Sequence, residues 1–362
     1  MQTIPLVDVR AEYEPLIPRL EAAFREVLDG KGFIRGPNYW AFQEEAAAYL
    51  GVKRTIGVAN GTDALVLALE ALGVGPDDEV ICPAFTFYAT AESVVRRGAT
   101  PVFADIDSVT LNLDVEDTAA KVTDRTRAII PVHLFGRMLD VRPLVELGVP
   151  VLEDAAQAIG SRSRAGRPGA LGVAATFSFY PSKNLPCFGD GGAIVTSDER
   201  IAERARVLRF HGSRDKVNYE QLGYNSRLDE LQAAILRVQL PHLDDWADGR
   251  RRAASHYEQA GLGELVGLPR AVAGSSPAWH LYVVSHPQVE RLEAALASAG
   301  VGFKPYYRTP VHRQPPMRSW AGGVELPGTE LAARTHLAIP MSTVLTREQA
   351  ELVVAGARAA AA

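Results

Sequence analysis

Between residues 55 and 154 the chain alternates short apolar runs with stretches of helical patterning. Thr55–Ala59, Glu79–Cys82, Pro101–Asp105, Ala128–His133 and Val149–Asp154 read as strands, while Asp63–Leu72, Ala89–Arg97 and the stretch around Val141–Leu147 read as helices. Parallel strands need a long crossover, which a helix supplies, so this alternation predicts βαβ units and a largely parallel sheet covered on both faces. Two further strands, Ala174–Phe179 and Gly192–Thr196, flank a loop punctuated by Gly and Pro. A helix is expected from Asp198 to about Phe210, and a longer helical pattern starts at Leu228 and should break at Pro241.

After a Gly-rich turn region, residues 261–274, the pattern changes. Leu281–Val284 reads as a strand, Gln288–Ala299 as a helix, Val301–Lys304 as a strand, and a last helix begins at Thr346 before a frayed tail over 357–362. This separate α+β pattern puts a domain boundary near residue 245. The expected division is a large domain over 1–245, with a helical N-terminal segment, and a small domain over 246–362. A length of 362 residues fits two domains. The net charge of −5 argues against nucleic acid as a partner. No apolar run of about 18 residues predicts a membrane span. The start, Met1–Pro5, lacks the basic and apolar regions of a signal peptide. Cys82 and Cys187 are the two cysteines and read as reduced thiols, so the expected location is the cytoplasm. No CxxC or HExxH pattern suggests a metal.

Four stretches carry chemistry. Lys183 stands in an aromatic and polar loop after a strand, Phe177–Asn184, followed by Gly189-Asp190-Gly191-Gly192. A lysine held in such surroundings suits Schiff-base chemistry, although a solvated loop lysine is the plainer reading of that stretch alone. Glu153 and Asp154 end a buried apolar strand, where open α/β sheets bind ligands; a helix cap is the alternative. Asn60-Gly61-Thr62-Asp63 lies at a strand-to-helix turn whose backbone amides, glycine and hydroxyl can cradle a phosphate. Phe85-Thr86-Phe87-Tyr88, just past a strand, is core or a platform for a planar ring. Together these ask for a planar group with a phosphate, an aldehyde and a basic ring nitrogen facing a carboxylate. Pyridoxal phosphate meets all four demands.

Read together, Gly61–Leu65, Pro83–Phe87, Glu153–Gln157, Phe177–Asn184 and Gly223–Glu230 resemble, in order and spacing, the DegT/StrS-type sugar aminotransferases. The resemblance covers essentially the whole chain. It implies the fold-type I aminotransferase architecture: a mostly parallel seven-stranded sheet between helices, plus a smaller C-terminal α+β domain. It also implies pyridoxal 5'-phosphate as cofactor, carried by Lys183 as a Schiff base, with Asp154 on the pyridinium nitrogen and Gln157 near the ring hydroxyl. Phe87 and Ala156 are expected on opposite ring faces, and Gly61, Thr62 and Ser178 at the phosphate. Asn225 matches an asparagine that reaches the phosphate from a neighbouring subunit, which implies a homodimer with its sites at the interface. Arg308 stands where the family commonly has proline, in a stretch that shapes the acceptor site.

The expected activity is a transamination. The resemblance implies L-glutamate as donor and a keto group on a nucleotide-linked sugar as acceptor, in a ping-pong sequence with Lys183 moving the proton. A cyclitol or other keto acceptor is the alternative within this chemistry, and a catalytically silent regulatory protein on the same scaffold the alternative outside it. A sugar dehydrase of this fold would carry histidine in place of Lys183, and no GxGxxG marks a dinucleotide site. His133 reads as an interior histidine. His211, His312, Tyr306, Tyr307 and the arginines Arg206, Arg209 and Arg214 are open candidates for the acceptor.

Overall fold

The computed structural model describes residues 3–30 and 32–360. Leaving aside short helical turns and two-residue strands, the order begins with helices α1 (Ile17–Gly30) and α2 (Pro37–Leu50). Strand β1 (Arg54–Val58), α3 (Gly61–Ala71), β2 (Glu79–Pro83), α4 (Ala89–Arg96) and β3 (Thr100–Ala104) follow. Next come β4 (Thr126–Ile129), β5 (Leu152–Asp154), β6 (Ala174–Ser178) and β7 (Gly192–Thr196). The chain continues through α5 (Glu199–Leu208), α6 (Glu230–Gln239) and α7 (Leu243–Gln259). It ends with β8 (Tyr282–Ser285), α8 (Val289–Ser298), α9 (Pro327–Thr335), β9 (His336–Ile339) and α10 (Arg347–Arg358).

The seven strands β1 to β7 form one sheet in the order β1-β7-β6-β5-β4-β2-β3, with parallel bridges Ile129↔Val151 and Val132↔Asp154 joining its two parts. Strand β7 alone runs against its neighbours, pairing antiparallel with both β1 and β6. The mostly parallel seven-stranded sheet expected from the sequence is therefore present. Helix α3 lies on it with Leu65, Leu67 and Leu69 buried against Val80, Phe103 and Ile194. On the other side α2, β6 and α6 share a core through Phe42, Phe177 and Leu236.

Strands β8 and β9 pair antiparallel from Tyr282↔Ile339 to Ser285↔His336. Tyr257 of α7, Leu296 of α8 and Val353 of α10 build the core around them, together with Ile4 from the N-terminus. Helix α7 starts in one core, with Leu243, and ends in the other, with Ala253, Ala254 and Tyr257. We propose units of 1–245 and 246–362 on that change of core. Val311, Met317 and Leu326 nevertheless pack on the first unit's core. Asp105 fastens the second unit's α9 by accepting from the amides of Gly328 (2.8 Å) and Thr329 (2.7 Å).

Three expectations differ. Strand β4 ends at Ile129 rather than running to His133: Pro131 has no N–H to give to the β5 side, and beyond it that side continues only as an isolated bridge, with Asp154 N donating to Pro131 O and His133 N to Asp154 O. Val301–Lys304 is not a strand, since it changes partner midway: Gly302 N donates to Ile4 O, and Lys304 N to Ala338 O. The tail expected to fray from Ala357 instead continues α10 to Arg358, with Ala357 and Ala360 buried; residues 361 and 362 lie outside the described residues. The break at Pro241 falls as expected, as a 3-10 turn between α6 and α7.

Candidate active site

A cleft of about 670 Å³ opens at the carboxyl end of the sheet and is closed on one side by the second unit. Gly61, Thr62 and Phe87 line it from the first strand-to-helix connections, Asp154, Ala156 and Gln157 from the end of β5, and Ser178 and Lys183 from β6 and its loop. Those are all the expected cofactor residues of this chain except Asn225.

The phosphate end is built by backbone. Asn60 caps α3 by accepting from the Asp63 amide at 2.8 Å, while the amides of Gly61 and Thr62 have no acceptor among the described residues. They are free donors at a helix N-terminus, the arrangement that holds an anion. The approach to β6 is close: a Cβ on Gly61 would lie 2.7 Å from the Ser178 Cβ, and one on Gly192 would lie 2.4 Å from the Asn60 carbonyl carbon. Glycine at both places lets helix end and strand meet without a side chain filling the cradle.

Asp154 forms the floor. It is 4 % exposed; Oδ2 accepts from the Thr90 hydroxyl (2.9 Å) and Oδ1 from the Ala156 amide (3.2 Å). Burial raises its carboxyl above the ordinary value, against the lowering by Thr90, the Ala156 amide and Lys183. No cationic side chain pairs with it among the described residues, so a protonated ring nitrogen would supply the missing cation. Beneath it, Glu153 accepts from His133 Nε2 (2.8 Å) and from the amides of Gly169 and Gly172. Burial pushes Glu153 up, but these donors outweigh it and leave the carboxyl below its ordinary value. His133 Nδ1 accepts from Leu139 N at 3.1 Å, which leaves the ring proton on Nε2 for Glu153. His133 is an interior histidine, as expected.

Burial lowers the Lys183 amine to about 8, with Asp154 opposing the shift. Its loop is tied to the second unit through Asn184, whose Nδ2 donates to Ala278 O at 2.8 Å. That bond orients the amide, so His280 Nδ1 is the donor to Asn184 Oδ1 at 3.2 Å. Burial, then the nearby Lys183 and Arg250, hold His280 well below its ordinary value, so the ring is neutral. Phe87 is 57 % exposed over the cleft. Gln157 accepts from the Phe135 amide (2.8 Å) and donates to the Tyr307 hydroxyl (3.2 Å). A cleft with free amides at one end, a buried carboxylate without a cation and a buried amine fits pyridoxal phosphate.

Other candidates divide. Tyr306 and Tyr307 line the cleft. Arg308 does not; it pairs with Glu290 and Glu293 on α8. His312 is buried against Glu330, and His211 is exposed outside the cleft. Arg209 is buried and donates to Gly57 O, while Arg206 and Arg214 pair with Glu203. Asn225 is exposed, joined by a backbone bridge to Phe210, and does not line this chain's cleft. Thr90, His280 and Lys304 were not foreseen. Thr90 carried no signal beyond its place in a helix, and the other two come from the second unit.

Residues 17–358 match the model of the DegT/DnrJ/EryC1/StrS aminotransferase family. The chain belongs to this family. It is 45 % identical to the pleiotropic regulatory protein of Geobacillus stearothermophilus, over 97 % of this chain and 96 % of that one. It is 43 % identical to the dTDP-3-amino-3,4,6-trideoxy-alpha-D-glucose transaminase of Streptomyces venezuelae, over 98 % and 95 %. The crystal structure of S. venezuelae DesV in complex with a ketimine intermediate superposes with a TM-score of 0.95 at 43 % identity, covering 99 % of this chain and 98 % of that one. The family member described here is a pyridoxal-phosphate-dependent aminotransferase. Among the described residues no helix is long and apolar enough to cross a membrane.

Proposed function

We propose that this aminotransferase moves an amino group from L-glutamate to a keto group of a nucleotide-linked sugar, in two half reactions through the cleft of Lys183. The observation that carries the reading is the single cleft that contains Lys183, Asp154 and the free amides of Gly61 and Thr62, and extends past them to Tyr180, Lys304 and Tyr306. The names of the Streptomyces transaminase and of a UDP-N-acetyl-3-dehydro-alpha-D-glucosamine 3-aminotransferase from Acidithiobacillus ferrooxidans, 43 % identical, support a nucleotide sugar as acceptor.

When bound, pyridoxal phosphate supplies an electron-withdrawing ring that takes up the charge left when a substrate carbon loses its proton. The chain's own residues do the rest. Lys183 Nζ, with its amine lowered to about 8, would take the proton from the donor's α carbon and pass it to the cofactor's aldehyde carbon in the same half reaction, and would run the same shuttle in reverse for the acceptor. Asp154 holds a proton on the ring nitrogen, and Thr90 and the Ala156 amide hold Asp154 in place. The amides of Gly61 and Thr62, with Ser178, grip the phosphate. Phe87 and Ala156 would hold the ring between them, and Gln157 would serve the ring hydroxyl.

Asn225 acts in a homodimer, reaching the phosphate at the neighbouring copy's site. Its exposure supports this, as do the exposed apolar Val217, Tyr219 and Leu222 a few residues before it. The cytoplasm is the proposed location, in keeping with two buried free thiols. The test loads the enzyme with amine from L-glutamate and then offers keto-sugar nucleotides and keto-cyclitols in turn. Return of the cofactor's original absorption with a sugar nucleotide supports the reading; return with cyclitols alone refutes it.

A further inference from the structure

Resting on that reading, the two substrates share one property: both are anions. The donor carries a carboxylate beside its amine, and the acceptor carries a diphosphate. One cleft must hold each in turn, and a free cation inside it would serve two anions of different shape.

The lining cations separate by their engagements. Lys183 is the reacting amine. Arg96 is held by Glu92, which lines the cleft beside it, at 2.9 Å. His280 is neutral and donates its Nδ1 proton to Asn184. Lys304 remains: it is exposed, it lines the cleft, and among the described residues no carboxylate lies within ion-pair distance of it. Its backbone is fixed by reciprocal bonds to Ala338 of β9, at 3.1 and 2.9 Å. Its ammonium nitrogen stands 5.0 Å from the centre of the Tyr306 ring. Tyr306 meets Tyr307 edge-on, Tyr307 stacks on Phe135, and the Tyr307 hydroxyl accepts from Gln157 near the cofactor end. The side chain is thus aimed by an aromatic wall rooted beside the chemistry.

We propose that Lys304 is the shared anion anchor of this cleft, binding the donor's carboxylate in one half reaction and the acceptor's phosphate in the other. A lysine suits both, because its ammonium is a compact charge with rotatable donors and imposes no fork geometry on its ligand. The pairing with Tyr306 orients the ammonium without neutralising it.

The test measures binding, not turnover. Cofactor-loaded wild type, Lys304→Met and Lys304→Arg are titrated calorimetrically with glutarate, which has no amine to transfer, and with thymidine or uridine diphosphate, which has no sugar. Lys304 is exposed, so Lys304→Met removes the charge without emptying a core. Lys304→Met should weaken both probes by about five- to thirtyfold, between the top of the range for a solvent-screened ion pair and that for a hydrogen bond to a charged group. Lys304→Arg should restore most of each. Unchanged binding of both probes to Lys304→Met overturns the anchor, and a loss confined to one probe overturns its shared role. The underlying function fails separately: a wild-type enzyme that aminates no sugar nucleotide, while Lys304→Met loses both probes, would refute the acceptor and leave the anchor standing.

Discussion

Adding one carbon at Gly61 isolates the phosphate cradle from the rest of the site. The new Cβ would lie 2.7 Å from the Ser178 Cβ and 3.3 Å from its Cα. Both atoms belong to Ser178 at the carboxyl end of β6, on or next to its backbone, so no flexible side chain can swing away. Carbon pairs settle at about 3.5–4.0 Å, so helix end and strand must part by about 1 Å. An N–H···O bond of about 2.9 Å stretched by that much no longer counts as one. The Gly61 and Thr62 amides would each lose a bond to a charged group, worth about 1.5–3 kcal/mol. If both are lost, affinity falls by about 10²- to 10⁴-fold. The assay titrates Gly61→Ala apoprotein with pyridoxamine phosphate, which binds without a covalent link to Lys183, and with pyridoxamine as the control lacking phosphate. The phosphorylated ligand should lose its advantage and the control should change little. A loss under threefold for pyridoxamine phosphate, or an equal loss for both ligands, would refute the cradle.

Three further outcomes are expected. Asp154→Asn should slow proton removal from the donor by about 10²-fold or more in single-turnover absorbance, while changing pyridoxamine phosphate affinity by less than about tenfold, because the carboxylate matters most as charge enters the ring; equal losses would contradict that role. In apoprotein, acylation of Lys183 should rise with pH around a midpoint of about 8. In Asp154→Asn that midpoint should move down, since removing a nearby anion disfavours the ammonium; an unmoved or raised midpoint contradicts the coupling. Mixing inactive Lys183→Ala with impaired Asn225→Ala chains should restore activity above both parents, because about half the exchanged dimers join a sound lysine to a sound asparagine. No gain after verified exchange rules out action across the interface.

Much of the architecture was legible because the chemistry of the large sheet is local. Several strand ends are followed at once by residues that line the cleft, as Val58 of β1 is by Gly61 and Thr62, and Asp154 of β5 by Ala156 and Gln157. The apolar runs also place the seven strands, since buried parallel strands are apolar on both faces. The errors came where backbone pairing, not polarity, decides the boundary. Pro131 is as apolar as its neighbours but cannot donate, and Val301–Lys304 looks like a strand although its hydrogen bonds go to two different segments. Strand β9 went unseen because it leaves α9 directly at His336, with no Gly or Pro between them.

The second unit explains why specificity was harder to read than chemistry. His280, Lys304, Tyr306 and Tyr307 reach the cleft from a β8 flank and from an irregular segment after α8. No periodicity marks that segment, and its position follows from contacts with residues far away in sequence, such as Ala338 and Gln157. Arg308 illustrates the consequence. By sequence it was the notable departure in this stretch, yet its guanidinium turns to Glu290 and Glu293, and Lys304, four residues earlier, faces the cleft instead. Strand alternation would put residues 304 and 308 on the same side, so their opposite facing comes from the irregular path of this segment, which no sequence pattern marks. The reacting group faces no such ambiguity. Lys183 is set by the β6 turn and by Asn184, which the second unit grips through Ala278 and His280. A change in the second unit can therefore alter which substrate is held while the same tie keeps Lys183 where the sheet puts it.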